Sequence, residues 1–364
     1  MLESDSSAAR VARSSESEDQ SMSGASKAMA EVSEPYLRDQ LEKRREELAS
    51  VCSEAPATAP FLELLQEVDS AIHRMDEGVF GVCEVCDGTV EKERLIADPL
   101  VRVCLDCLTD VEKRALEQDL ELASRIQRTL LPAASTRFRD WQIHYEYRSA
   151  GMVSGDYCDL ILPANENGNL IFLLGDVAGK GVAASLLMTH LHAMFRSLAG
   201  VDLELEKLLE HANRVFCEST TAGQYATLIC GRAGRSGEIE IGSAGHFPAL
   251  LVAKDGVKKV HSTGLPLGMF STSRYTTQRV HLEPGDCLLL YTDGISEARD
   301  AEGSEYGIAR LSRAAGERHG WVPQELLAAC LKDVGKFSPG AHLADDQTLM
   351  VVHRADSAGA FLPH

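Results

Sequence analysis

Two Cys-x-x-Cys pairs, Cys83-Glu-Val-Cys86 and Cys104-Leu-Asp-Cys107, stand 17 residues apart. No other feature constrains the chain as strongly. Each short turn places two sulfurs on one side of an ion, so four thiolates can close a tetrahedron around Zn²⁺. Four ligands leave no open coordination position. Such a zinc is structural, and its binding energy stands in for a small core. The remaining cysteines (Cys52, Cys158, Cys217, Cys230, Cys287 and Cys330) are scattered singly. In a reducing compartment they read as packing residues, not as a disulfide framework.

At 364 residues the chain exceeds one average domain. Charged residues make up 25% and apolar residues 44% of it, which excludes a wholly disordered or fibrous protein. With 36 basic against 55 acidic residues, the formal charge of −19 repels nucleic acid and anionic membrane surfaces and favours cations. The longest apolar runs, Leu170–Leu174 and Leu288–Tyr291, fall far short of the roughly 20 residues that span a bilayer. The expected location is the cytoplasm, with neither nucleic acid nor membrane as a partner.

Residues 1–33 are Ser-rich without apolar periodicity and are expected to be a disordered tail. Tyr36, Leu37, Leu41 and Leu48 begin one helix, and Phe61, Leu64, Leu65, Val68, Ile72 and Met75 lie on a second. A Pro- and Ala-rich turn at Ala55–Pro60 makes the pair an antiparallel hairpin. A third helical run extends from Thr109 to Pro132, with Leu116, Leu120, Ala123, Gln127 and Leu130 at coiled-coil spacing. That stripe fits a short dimer seam or packing on its own domain equally well.

Beyond Pro132 short strands are expected at 141–147, 158–162, 170–174, 226–230, 238–241, 249–252, 287–291 and 348–352. Helical patterns intervene at 182–198, 203–218 and 323–334. A hairpin loop at Arg232–Gly237 and the grouping of the helices indicate an α+β layered domain, not a parallel βαβ sheet.

Aspartates recur at turns beside these strands: Gly155-Asp156 with Asp159, Gly175-Asp176, Thr292-Asp293-Gly294 and Asp345-Asp346. Any one of them alone reads as a turn. Four together, each beside an apolar strand, can converge on one sandwich edge, where hard carboxylate oxygens select Mg²⁺ or Mn²⁺. Gly175–Lys180 is not a phosphate loop: it has one residue too few between its glycines, and Gly181 stands where Ser or Thr would hold Mg²⁺. Cys158 lacks the arginine cradle of a cysteine phosphatase and reads as strand packing. His246 reads as a turn residue before a catalyst. Lys180 and Arg148 can meet a substrate phosphate or simply face solvent.

Two family resemblances attach to these motifs. Residues 71–81 (AIHRMDEGVFG), Glu93-Arg-Leu95, Ala97-Asp-Pro99 and the four cysteines resemble the DksA/TraR zinc-finger family, over about residues 34–115. Longer members of that family insert an acidic hairpin tip into RNA polymerase. Here the turn carries one carboxylate, Glu54, so RNA polymerase is not expected as a partner. Further on, SGDYCD (154–159), GDVAGKG (175–181), SAGHFP (243–248), GLPLG (264–268), YTDG (291–294) and DDQT (345–348) resemble, in order, the SpoIIE/RsbU-like members of the metal-dependent (PPM, type 2C) serine/threonine phosphatases.

The second resemblance implies an α-β-β-α sandwich of two antiparallel sheets with a two-metal Mn²⁺ or Mg²⁺ site at one edge. Asp176 would bridge both ions, Asp156 and the Val177 carbonyl would serve one, and Asp293 and Asp345 the other. Asp346 and Asp159 would stand further out, in an outer shell or at a third ion. Ser154 stands where a glycine is usual, and Ala178 where eukaryotic relatives carry a histidine acid. The implied reaction is phosphoserine or phosphothreonine hydrolysis by a metal-activated water. The implied substrate is a STAS-type anti-anti-sigma protein in a partner-switching pathway.

The expected layout is therefore a tail at 1–33, the hairpin and zinc finger at 34–110, a linker helix at 111–132 able to support a homodimer, a phosphatase domain at 133–355, and a tail at 356–364. The competing readings are a zinc-finger adaptor with a non-catalytic phosphatase-like domain, or a polymerase-binding regulator.

Overall fold

The structure is a computed structural model that describes residues 35, 37–46, 48–49, 59–163, 168–201, 203–220, 223–339 and 343–355. The tails expected at 1–33 and 356–364, and most of the turn expected at 55–60, lie outside the described residues. The chain divides into two compact units, 1–117 and 118–364.

In the first unit, residues 37–46 are helical and are followed by the helix Ala59–Asp76. Arg38 pairs with Asp76 at 2.8 Å and Arg45 with Asp69 at 2.6 Å. One number rises as the other falls, so the two helices run antiparallel. Between them Leu37, Leu41, Val68, Ala71 and Met75 are buried, in a cluster continuous with Cys83, Val90, Leu95 and Cys104. This core is small, which is the condition under which a structural metal contributes most.

The linker helix, Asp110–Leu130, starts at a reciprocal cap. Thr109 N–H donates to the Glu112 carboxylate at 2.8 Å, and Glu112 N–H donates back to the Thr109 hydroxyl at 3.3 Å.

Among its described residues the second unit has eleven strands: β1 (Ser135–Phe138), β2 (Trp141–Arg148), β3 (Asp156–Ile161), β4 (Leu170–Val177), β5 (Ala226–Ala233), β6 (Glu238–Ala244), β7 (Ala249–Ala253), β8 (Gly256–Val260), β9 (Thr277–His281), β10 (Cys287–Tyr291) and β11 (Gln347–Arg354). They form one sheet in the order β1-β2-β11-β10-β7-β8 and another in the order β3-β4-β5-β6-β9. Every pairing between these strands is antiparallel.

Strand alternation sorts the core into layers. Leu170, Phe172 and Leu174 of β4 meet Leu288 and Leu290 of β10 and Met350 and Val352 of β11 between the sheets. The alternate residues Ile171 and Leu173 face outward against Met188, Leu191 and Phe195 of the helix Gly181–Leu198, and against the helix Leu205–Ser219. On the other side Leu289, Tyr291, Leu349 and Val351 pack against the helices Gly307–Gly316 and Pro323–Phe337. The result is the four-layered α-β-β-α sandwich.

All eight expected strands are present. Three more, β1, β8 and β9, are edge strands whose side chains are largely solvated, so no apolar run marks them in the sequence.

Candidate active site and zinc centre

In the first unit the Sγ atoms of Cys83, Cys86, Cys104 and Cys107 all lie within 4.8 Å of one another. Cys104 N–H donates to the Cys83 sulfur at 3.3 Å, and Cys83 N–H donates to the Gly88 carbonyl at 2.7 Å, which closes the first knuckle. Backbone N–H donors hold the Cys83 thiol down to about 6, whereas its sulfur neighbours push Cys107 up to about 12. Four such thiols do not ionise together without a cation among them. Their chemistry and convergence fit zinc.

At the other site, side-chain parity places the acids. Asp156 begins β3 and is aligned with Asp176 near the end of β4. Like Cys158 and Leu174 on the same strands, both face the space between the sheets. Asp293 follows β10 and Asp345 precedes β11, strands hydrogen-bonded to each other in the opposing sheet. Asp176, Asp293 and Asp345 line one recess of about 250 Å³ together with Lys180, Tyr225, Thr227, His246 and Phe247.

Asp156 is buried behind this recess, 1% exposed. Its Oδ2 accepts hydrogen bonds from the Thr292 hydroxyl at 3.0 Å and the Thr348 hydroxyl at 2.5 Å, while its buried Oδ1 has no hydrogen-bond partner. Built on Gly155, a Cβ would stand 3.1 Å from the Val177 carbonyl and 3.4 Å from Asp176 Oδ1, so a glycine lets this segment close on the acids.

The electrostatics follow from this crowding. Burial, then the charges of Asp293, Asp345 and Asp346, push Asp176 up to about 7. Burial and the Asp176 charge push Asp156 well above the usual carboxylate range. Asp293 is raised by burial and by Asp345. Lys180 offsets part of this charge, with Nζ 2.9 Å from Asp345 Oδ2 and 2.7 Å from the Ala344 carbonyl. Clustered acids with an unpartnered buried oxygen fit hard divalent cations.

Three further candidates stand outside the lining of the recess. Asp346 directs both oxygens to backbone, accepting from Ala150 N–H at 2.7 Å and Gly155 N–H at 2.9 Å. Asp159, three residues after Asp156, has the opposite parity. It is fully buried against the helix Gly181–Leu198, where Arg196 grips it through Nε at 2.8 Å and Nη2 at 2.5 Å. Arg148 lines a neighbouring cavity of about 570 Å³ that shares only Lys180 and Asp345 with the recess.

His246 is bound on both nitrogens. Nε2 donates to the Tyr291 carbonyl at 3.1 Å, which leaves Nδ1 to accept from the Thr227 hydroxyl at 2.9 Å. Burial lowers its pKa to about 4, so the ring is neutral and its proton is committed to the backbone. The two threonines that hold Asp156 lie inside the YTDG and DDQT motifs, where nothing in the sequence distinguishes them from turn residues.

The linker helix turns Gln127 onto its own unit, and Gln127 is the buried residue among those described in that helix. Leu122 and Ile126 are exposed on another face, and Leu116 is exposed further along the Gln127 stripe.

Residues 166–355 match the family described as Stage II sporulation protein E (SpoIIE), and residues 78–113 match the prokaryotic dksA/traR C4-type zinc finger. Protein IcfG of Synechocystis sp. is 26% identical over 265 residues, covering 65% of this chain and 41% of that protein. Phosphoserine phosphatase RsbU of Bacillus subtilis is 26% identical over 194 residues, 52% of this chain and 57% of the relative. The chain thus spans about half the length of these curated relatives. Among solved structures, the SiaA-PP2C domain of Pseudomonas aeruginosa superposes with a TM-score of 0.60 at 19% identity, covering 68% of this chain and 100% of that one.

Proposed function

The chain belongs to the SpoIIE family of PPM-type phosphatases and carries a dksA/traR-type zinc finger, and on that premise we propose that it hydrolyses phosphoserine or phosphothreonine in a partner protein. The observation that supports this most directly is the shared recess of Asp176, Asp293 and Asp345, with the unpartnered Oδ1 of Asp156 buried behind it. Asp156, Asp176 and the Val177 carbonyl would hold one divalent ion, and Asp176, Asp293 and Asp345 a second, with Asp346 in the outer shell. Two Mn²⁺ or Mg²⁺ ions, when bound, supply a water of lowered pKa and neutralise charge on the phosphoryl oxygens.

The chain's own groups do the positioning. Thr292 and Thr348 orient Asp156 by occupying one of its oxygens. Asp346 ties the loop at Ala150 and Gly155 to the turn before β11. Lys180, kept protonated by Asp345, stands at the mouth of the recess, where its charge can meet an incoming phosphate. His246 does not serve as an acid, because its one proton is held by the Tyr291 carbonyl. No covalent phosphoenzyme is required.

RsbU is named as a phosphoserine phosphatase, and a Mycobacterium tuberculosis structure pairing RsbU and RsbW domains superposes with a TM-score of 0.50 at 27% identity, covering 59% of this chain and 60% of that one. These relatives support a STAS-type anti-anti-sigma substrate in a cytoplasmic partner-switching pathway. The zinc hairpin and linker helix would then be the regulatory front end at 34–132, ahead of a catalytic domain at 133–355. A homodimer formed through the linker helix would use the face of Leu122 and Ile126, because Gln127 is already occupied within its own unit.

The test is Mn²⁺-dependent hydrolysis of an aryl phosphate and of a phosphoserine peptide, with and without Asp293→Asn. Turnover abolished by chelator, restored by Mn²⁺ and lost in the variant is the expected result. Absence of Mn²⁺-dependent turnover would favour a non-catalytic adaptor.

A further inference from the structure

The helix Ala59–Asp76 turns one cation into the interior of the first unit. Arg74 is 9% exposed, and Nε, Nη1 and Nη2 of its guanidinium are all buried without a hydrogen-bond partner among the described residues. A buried polar group is ordinarily bonded, and a buried charge ordinarily paired. Arg74 is neither. The Phe80 ring, its centroid 5.9 Å from Cζ, gives a cation–π contact that offsets part of the desolvation but satisfies none of the N–H donors in the guanidinium plane.

The surroundings add to the positive charge. Ser70 lies one helical turn before Arg74 on the same face. Its hydroxyl accepts from Arg102 Nη2 at 3.0 Å, so a second guanidinium, two residues before Cys104, arrives beside the first. Burial and then the charge of Arg102 disfavour the charged form of Arg74, which Glu84 favours. Glu84 is drawn toward Arg102, with Oε1 3.5 Å from Nη1, and its side chain is half exposed. An exposed pair at that distance contributes little. Two guanidinium groups and one carboxylate leave a net positive charge, in a chain whose formal charge is −19.

The donor geometry selects the class of anion. Each guanidinium presents a planar fork of N–H groups. A carboxylate, with two oxygens in one plane, pairs with one fork. A tetrahedral oxyanion can meet two forks and the Ser70 hydroxyl together, through separate oxygens.

We propose that Ser70, Arg74 and Arg102 form a binding site for a tetrahedral oxyanion of the phosphate class. The site lies wholly within the first unit and is independent of the acid recess and of the phosphatase reading. It gives the zinc-finger unit a small-anion ligand of its own.

The experiment is isothermal titration calorimetry of inorganic phosphate into the full chain, after brief EDTA dialysis and with zinc content checked by elemental analysis. Glycerol 3-phosphate separates an ester from the free ion, and acetate stands for a carboxylate. One site with a dissociation constant below about 1 mM is expected. Arg74→Met and Arg102→Met should each weaken binding at least about tenfold, the scale of hydrogen bonds to a charged group. Glu84→Gln removes the competing carboxylate and should tighten binding about threefold, a gain that damage to the fold does not produce. Lys43→Met, which removes an exposed cation of the same unit, should match the wild type.

Glycerol 3-phosphate bound with the same losses supports the site and assigns it to an ester; phosphate bound without it supports the site and assigns it to the free ion. Absence of saturable binding of either to the wild type up to about 10 mM overturns the inference. So does acetate bound as tightly as phosphate, or affinity in Arg74→Met within about twofold of the wild type. Should Arg74→Met fail to fold, Arg102→Met and Glu84→Gln decide: the paired loss and gain sustains the inference, and unchanged affinity in either overturns it.

Discussion

Burial, and then the charges of Asp293, Asp345 and Asp346, drive the Asp176 pKa up to about 7. A raised folded-state pKa contributes stability that is complete below the unfolded value near 4 and is lost as pH rises through about 7. At pH 8 the metal-free protein bears the whole cost of that buried, crowded charge. Asp176→Asn should therefore be about 2 kcal/mol more stable than the wild type in metal-free buffer at pH 8, as read by urea denaturation, while losing Mn²⁺-dependent turnover. A variant less stable than the wild type would show that the acids are not crowded. His246 has the opposite sign. Its pKa is depressed to about 4 by burial, against about 6.5 when unfolded. Its contribution is complete above pH 6.5, falls as the unfolded chain takes up the proton, and is gone near pH 4. The stability difference between wild type and His246→Gln should shrink by about 2 kcal/mol between pH 7 and pH 4. The carboxylates titrating in that window are common to both proteins and cancel. A constant difference would mean that the ring reaches water.

Elements decide which acids meet. The turn after β10 and the turn before β11 interlock through Thr292 and Thr348, which exchange two hydrogen bonds, and through Gln347, which donates to the Gly294 carbonyl at 2.9 Å. A side chain on Gly294 would collide with the Asp346 carbonyl. Gly294→Ala should cost about 2 kcal/mol in urea unfolding and depress turnover at least tenfold, because Asp293 and Asp345 lose their common frame. The Arg196–Asp159 pair tests the converse. It clamps β3 to the helix Gly181–Leu198 on the face away from the recess, so Arg196→Met leaves a fully buried carboxylate unpaired and should cost about 3 kcal/mol. Turnover per folded molecule at saturating Mn²⁺ should stay close to wild type. A large loss there would return Asp159 to the metal site. These contrasts also mark what the sequence could reveal. Interior strands and long amphipathic helices announce themselves by apolar runs, and the acids by small residues at strand ends. Edge strands β1, β8 and β9 carry no such run. The partners of Asp156 lie 136 and 192 positions away, and Gln127 lies 27 positions from Ser154. Contacts of that kind exist only once the sheets have packed.

At the scale of the whole chain, two clusters that fit cations of different kinds coexist, and their ligand chemistry separates them. Four soft sulfurs within 4.8 Å of one another would close around zinc with no open position, and the antiparallel helices beside them enclose only a small apolar core. The acid recess offers hard oxygens open to solvent, in a unit whose three apolar layers are complete without metal. Brief dialysis against EDTA should therefore abolish turnover and leave about one zinc per chain by elemental analysis, and Mn²⁺ should restore activity in full. Cys104→Ser should reverse the pattern. Zinc falls below stoichiometry, helical circular dichroism from the first unit is lost and proteolysis opens residues 59–117, while the main unfolding transition of the second unit persists. Loss of both transitions together would show that the sandwich depends on zinc. Retention of zinc and helix in Cys104→Ser would show that the four sulfurs do not form one site. The formal charge of −19 adds a check that separates binding from bulk attraction: raising ionic strength should weaken Mn²⁺ activation by screening the surface field, yet leave the zinc content unchanged.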